Sequence, residues 1–247
     1  MLTTTRRNKI KSAKSSLGFS LIEMAIVLVI VSTLLGGLLI SLSQTQEMNN
    51  RRNAEAKLDD IVEALYGYAQ ATGRLPCPAT PTSNGAEVPV GGGACTEEHG
   101  LVPSATLGLS GALDINGLLM DKWLGAYRYS VSDSNGDAFT TSNGIRGVGI
   151  AAMAPTFRVC DAAACGTVIA DAVPVVIMSL GADWVDFTGA DVDETENSGE
   201  RTLNGYRLPN DDDFVQSAYI EDTFDDLVTW ISPGILFTRM IAAGQLP

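Results

Sequence analysis

Apolar and polar positions follow three patterns along this chain, and each predicts a different element. From Phe19 to Leu42 the run FSLIEMAIVLVIVSTLLGGLLISL holds one charge, Glu23. As a helix it covers the roughly 30 Å of a hydrocarbon core at about 1.5 Å per residue. From 43 the pattern becomes amphipathic, with Leu58, Ile61, Val62, Leu65 and Tyr68 or Ala69 on one face, and Gly73 ahead of Pro76 predicts the helix stop. Residues 19–72 then read as one rod of roughly 80 Å, apolar all round in 19–42 and one-sided in 43–72. Such a rod is unstable alone in water, so its first half must lie in lipid or pack on identical rods. Gly36 and Gly37 are weak helix formers and mark where it can loosen.

Past Gly73 the pattern shortens. RLPCPATPTSNGAEVPVGGGAC reads as a long surface loop, rich in Gly, Pro, Thr and Ser. Short strands follow: AYRYSVS, an Asn135-Gly136 hairpin turn, AFTT, IRGVGIAAM, FRVC and VPVVIMSL, the last the most buried. Ser232-Pro233 opens and Gly244 closes a short apolar helix around ILFTRMIAA. The predicted class is α+β: a long N-terminal helix packed through its second half on an antiparallel sheet. The divisions are a leader over 1–18, an apolar helix over 19–42, an amphipathic continuation over 43–72 and a β-rich head over 73–247.

Charge gives the chain a direction. Residues 1–18 hold Arg6, Arg7, Lys9, Lys11 and Lys14 and no acid, while the whole chain has net charge −13. The positive-inside rule places this leader in the cytoplasm and the head outside. A cleaved secretory signal is the competing reading, but the apolar run exceeds an h-region of roughly 7–15 residues and no small-residue cleavage site follows it. The acidic head would repel phosphate backbones, so no nucleic-acid partner is expected. With one histidine, His99, a centre built on two or three imidazoles is excluded within one chain. Four cysteines on the outer side suit two disulfides, most simply Cys77 with Cys95 and Cys160 with Cys165, the other two connectivities remaining open.

Glu23 is anomalous, because a carboxylate one turn inside a bilayer segment is costly unless paired. Cleavage between Gly18 and Phe19 would create an α-amine near the same depth, a partner within the chain or on a neighbour. Snorkelling to the headgroups is the alternative, and it leaves the Gly-Phe junction unexplained.

Gly18-Phe19-Ser20-Leu21-Ile22-Glu23, after a basic leader and before an apolar helix, resembles the class III signal of type IV pilins and type II secretion pseudopilins. The resemblance implies cleavage after Gly18 by a prepilin peptidase and N-methylation of Phe19. It also implies assembly through Glu23, whose charge would neutralise a neighbour's N-terminal amine. The implied partners are that peptidase, other pilin or pseudopilin subunits, an inner-membrane assembly platform and the membrane itself. The chain would start as a single-pass protein of the bacterial inner membrane, head in the periplasm, and move to a filament. Asp121, Trp123, Tyr127 and Tyr129 in DKWLGAYRY are similar to the D-x-W-G-x-x-Y-x-Y of pseudopilins, with Leu124 at the usual Gly. Ser179-Leu180-Gly181-Ala182-Asp183 resembles their S-x-G-x-D, with Trp184 at the next usual Gly. These departures favour a minor over a major subunit.

Acids crowd the stretch after that motif: Asp183, Asp186, Asp191, Asp193, Glu194 and Glu196, then Asp211, Asp212 and Asp213. Carboxylates are hard ligands suited to Ca²⁺, and pseudopilins related to the major subunit often hold calcium here. The expected set is Asp183, Asp186, Asp191, Asp193 and Glu194, against a merely solvated acidic loop. No cofactor is otherwise required. Enzyme readings are weak, since Gly108-Leu109-Ser110-Gly111 is not G-x-S-x-G and His99 reads as an exposed residue of a Gly-rich loop. Trp184 reads as a surface residue available for subunit contact. The expected function is structural, a filament subunit. The different-class alternative is a membrane-tethered extracytoplasmic binding protein or adhesin that uses the helix only as an anchor.

Overall fold

A computed structural model describes residues 20–185, 191–220 and 223–247, with the side chains of 35–43 set aside. It is α+β, as the pattern predicts. Helix α1 spans Leu21–Thr72. In the head follow β1 (His99–Leu101), α2 (Ser104–Leu107), β2 (Ala112–Leu113), β3 (Leu119–Met120), β4 (Arg128–Val131), α3 (Ser134–Asp137) and α4 (Gly144–Val148). Next come β5 (Phe157–Cys160), β6 (Val168–Val173), β7 (Val175–Ser179), α5 (Val192–Ser198), β8 (Arg201–Leu203), β9 (Tyr206–Leu208), β10 (Asp213–Val215), β11 (Leu227–Ile231) and α6 (Pro233–Ala242). The chain divides into two compact units, residues 1–47 and 48–247.

The main sheet of the second unit is antiparallel, in the order β1-β4-β7-β11. One face packs on α1. Ala54, Leu58, Ile61, Leu65, Tyr66 and Ala69 are buried against Tyr127, Tyr129, Val131, Val175, Ile177, Leu227 and Ile231. Of the two alternatives at the end of the stripe, Ala69 is the core residue, joined by Tyr66, while Tyr68 is half-buried and donates to Glu87 Oε1 at 3.2 Å. The other face meets a second sheet of order β10-β5-β6, in which β10 pairs parallel with β5. Val176, Met178 and Val228 pack there on Phe157, Val159, Val173 and Phe214. Strand β7 is therefore buried on both faces, which is why VPVVIMSL is an unbroken apolar run and not an alternating one.

Gly73, at φ +76°, ends α1 where the sequence places the stop, and its amide donates to Ala69 O at 2.9 Å. The segment beyond it departs from a surface loop. Residues 73–79 are buried, and Arg74 and Glu87 meet as a two-pronged ion pair of 2.8 and 2.7 Å with side chains 6% and 5% exposed. Glu87 also accepts from Cys77 N and Gly91 N, so its buried charge is well satisfied. Disulfides join Cys77 to Cys95 and Cys160 to Cys165.

Residues 134–153 depart as well. Asn135-Gly136 makes the left-handed turn of α3, at φ +57° and +69°, and not a hairpin, and AFTT and IRGVGIAAM form turns, α4 and a short 3₁₀ turn (Ile150–Ala152). The Asn135 side chain fixes this path by donating to Ala152 O and accepting from Ala154 N. Phe139 and Ile145, which suggested strands, are core residues supplied by a turn and by α4.

Candidate functional site

Two regions carry chemistry. The first is the start of α1. Ile22 N donates to Ser20 Oγ at 3.3 Å and Met24 N to Ser20 O at 3.1 Å, so Ser20 caps the helix. Glu23 stands three residues on, the S-x-x-E spacing of a capping box, and its negative charge suits the first turn. Leu21, Ile22, Met24, Ile26, Val27, Leu28, Val29, Ile30, Val31 and Leu34 are all exposed, Leu21 at 92%. A segment so apolar on every side requires a non-aqueous surrounding. Gly18 and Phe19 lie outside the described residues. So do the side chains of 35–42, and no helix among the described residues is long and apolar enough to cross a membrane.

The second region is in the head, where the two sequence motifs meet. Asp121 accepts from Trp123 N and Gly125 N, and Ser179 Oγ donates to its second oxygen at 2.5 Å. The D-x-W turn is thus pinned to the end of β7. Trp184 Nε1 donates to Trp123 O at 2.9 Å, and the ring lies over Gly125 and packs on the inter-sheet core. Trp184 is therefore a tie between the motifs and not the free surface residue expected. Leu124, in the turn between Trp123 and Gly125, takes φ +67°.

Gly181, at φ +63°, turns the chain beneath Asp225. A Cβ there would fall on the Asp225 carboxylate, so glycine is required. Ala182 N donates to Asp225 Oδ2 at 2.6 Å, and Asp225 N donates to Glu194 Oε1 at 3.2 Å. Ligand oxygens of Asp183, Glu194 and Asp225 lie within 4.8 Å of one another. Burial, reinforced by the Glu194 charge, pushes Asp183 up to about 6, and burial raises Glu194. Behind them Asp226 is buried and raised well above the carboxylate range by desolvation, its Oδ2 accepting from Asn197 Nδ2 at 2.8 Å. This group of acids can share a proton, or its donor set can hold a hard cation of the Ca²⁺ type.

Of the expected ligands, then, Asp183 and Glu194 come together. Asp191 instead caps α5, its side chain accepting from Val192 N, and Asp193 accepts from Ala163 N. Asp186 lies outside the described residues. Asp225 lies outside the expected set, and the turn at Gly181 brings it in. His99 is buried on β1, not exposed, with Nδ1 2.9 Å from Ser130 Oγ and its ring stacked on Phe157.

Residues 13–39 match the prokaryotic N-terminal methylation motif, the class III signal of type IV pilins and pseudopilins. The chain is thus similar to precursors of the pilin and pseudopilin type, whose members are structural subunits. No curated protein and no solved structure matches the chain.

Proposed function

We propose that the chain is a minor subunit of a type IV pilus or a type II secretion pseudopilus. In this reading it is held in the inner membrane by α1, cut after Gly18, methylated on Phe19 and stacked into a filament through the same helix. The observation that carries this is the methylation motif over 13–39 leading into a helix start whose apolar side chains are exposed on every side. Lipid before assembly and neighbouring helices after it would cover that surface. The test compares Glu23→Gln with Glu23→Ala in cells making the filament. Glutamine is equally suited to the last position of a capping box and removes the charge. Normal processing but failed assembly in both variants supports charge pairing with a neighbour's amine. Assembly restored by glutamine would reduce Glu23 to a helix cap, and assembly of both variants would favour the tethered binding protein. The intact mass of the chain from cells with and without the peptidase checks cleavage and methylation separately.

Calcium in the head is proposed on the same footing, with Asp183, Glu194 and Asp225 as its carboxylates. Ca²⁺ should raise the melting temperature of the protein, and Asp225→Asn should remove that rise.

A further inference from the structure

The described residues contain a second polar cluster, on the opposite edge of the main sheet from β11, and it differs in kind from the acidic one. Glu98, His99 and Asp212 each bring one ligand atom to within 4.8 Å of the others. We propose that these three residues form a binding site for a transition-metal dication of the Zn²⁺ class.

The backbone fixes all three positions. His99 lies opposite Ser130 in the β1–β4 ladder, and Val131 N donates to Glu98 O at 3.1 Å. Asp212 stands just ahead of β10, its carbonyl accepting from Arg158 N of β5 at 2.9 Å. The site thus sits where the edge of the main sheet meets the second sheet.

The imidazole is held as a ligand would be. His99 is 5% exposed, lies against Phe157 and Phe214, and has Nδ1 engaged by Ser130 Oγ. Its Nε2 faces Glu98 Oε2 at 3.8 Å and makes no hydrogen bond among the described residues. That separation is too long for a hydrogen bond, but it is close to the ~3.3 Å between two ligands on a tetrahedral ion with bonds of about 2.0–2.1 Å. Three atoms within 4.8 Å of one another always share a point no more than about 2.8 Å from each, so rotations of well under an ångström per atom would complete the bonds. A hydrogen bond on the far ring nitrogen is the usual support for a metal-bound histidine.

Electrostatics points the same way. The nearby cations are taken, Arg201 by Glu97 and Arg158 by Asp213. Asp133 and Asp137 add to the negative field at Glu98, while at His99 the Arg201 charge acts against those of Asp211 and Glu97. Burial holds His99 down at about 4, so the imidazole is an uncharged lone-pair donor at neutral pH. Burial first, and the neighbouring acids after it, push Glu98 up to about 7, and a dication would relieve the part that is repulsion between acids. One imidazole and two carboxylates suit Zn²⁺ or Mn²⁺ better than Ca²⁺, which prefers oxygen alone.

The test uses the full chain, made without a histidine tag, purified in detergent and stripped with EDTA. Zn²⁺ is titrated calorimetrically, with Co²⁺ absorption as a spectroscopic check, in the presence of excess Ca²⁺. The expected result is one saturable Zn²⁺ per chain, weakened at least tenfold by Asp212→Asn and by His99→Asn, and unchanged by Asp183→Asn. Asp212 is half-buried and its substitution leaves the core intact, so it decides the matter if His99→Asn does not fold. No saturable Zn²⁺, or binding that Asp212→Asn leaves unchanged, overturns the site.

Discussion

Leu124 shows what a single residue can cost. It sits at φ +67° and is 66% exposed, so it has a left-handed backbone and little burial to offset it. A β-carbon in that region costs roughly 1–2 kcal/mol, and glycine gives back about half of this through the entropy of the unfolded chain. Leu124→Gly should therefore stabilise the head by about 0.5–1 kcal/mol, read as a higher urea midpoint at unchanged slope. A fall in the midpoint would mean that the exposed leucine packs on something not visible in one chain. Arg74 and Glu87 illustrate the opposite case. Both lie in a Pro- and Gly-rich stretch, where charge normally means exposure, and no local signal says that the pair is buried. Their meeting depends on the turn at Gly73 and on the Cys77–Cys95 bridge, which are tertiary facts.

Among elements, legibility follows period and burial. Helix α1 and its stop were readable because a helical stripe of apolar residues ends at a glycine that takes positive φ. Strand β7 was readable because both its faces are covered. The stretch 138–153 was not, since Phe139 and Ile145 are buried from a turn and from the one-turn helix α4 and imitate strand residues. The acidic group after β7 was half legible: Asp183 and Glu194 belong to one acidic run, while Asp225 arrives from a distant one. This element has a pH signature. Asp183, pushed up to about 6, and Glu194, also raised, hold protons more tightly in the folded head than in the unfolded chain. Their contribution to stability is present in acid and is lost as pH rises through about 6. In EDTA, Asp183→Asn should gain on the parent protein between about pH 4 and pH 7, by on the order of 1–2 kcal/mol. Urea unfolding at both pH values measures it, and a difference that does not change with pH would show that Asp183 titrates in the folded head as it does in the unfolded chain.

For the whole molecule, the division at residue 47 separates two demands. The residues of the three buried apolar clusters all lie in 48–247. The exposed apolar side chains Leu21 to Leu34 lie in the other unit. A chain beginning at Met48 should therefore be folded and monomeric without detergent, and sedimentation with circular dichroism checks both properties. Aggregation of that fragment would mean that the head exposes an apolar surface of its own.

The strand order of the main sheet also governs when the head can form. Val131 pairs with Val175 and Val175 with Ile231, so β7 finds its two neighbours far away along the chain in both directions. Such pairings close long loops before any contact repays the entropy, which puts folding in the slow range of non-local β topologies. Strand β11 comes late in the chain, and until it docks, β7 presents an unpaired apolar edge. A polypeptide stopped before Leu227 cannot complete the core and remains open to proteolysis. The order of strands thus acts as a length check: chains that end before β11 should be cleaved by a protease under native conditions faster than the full chain.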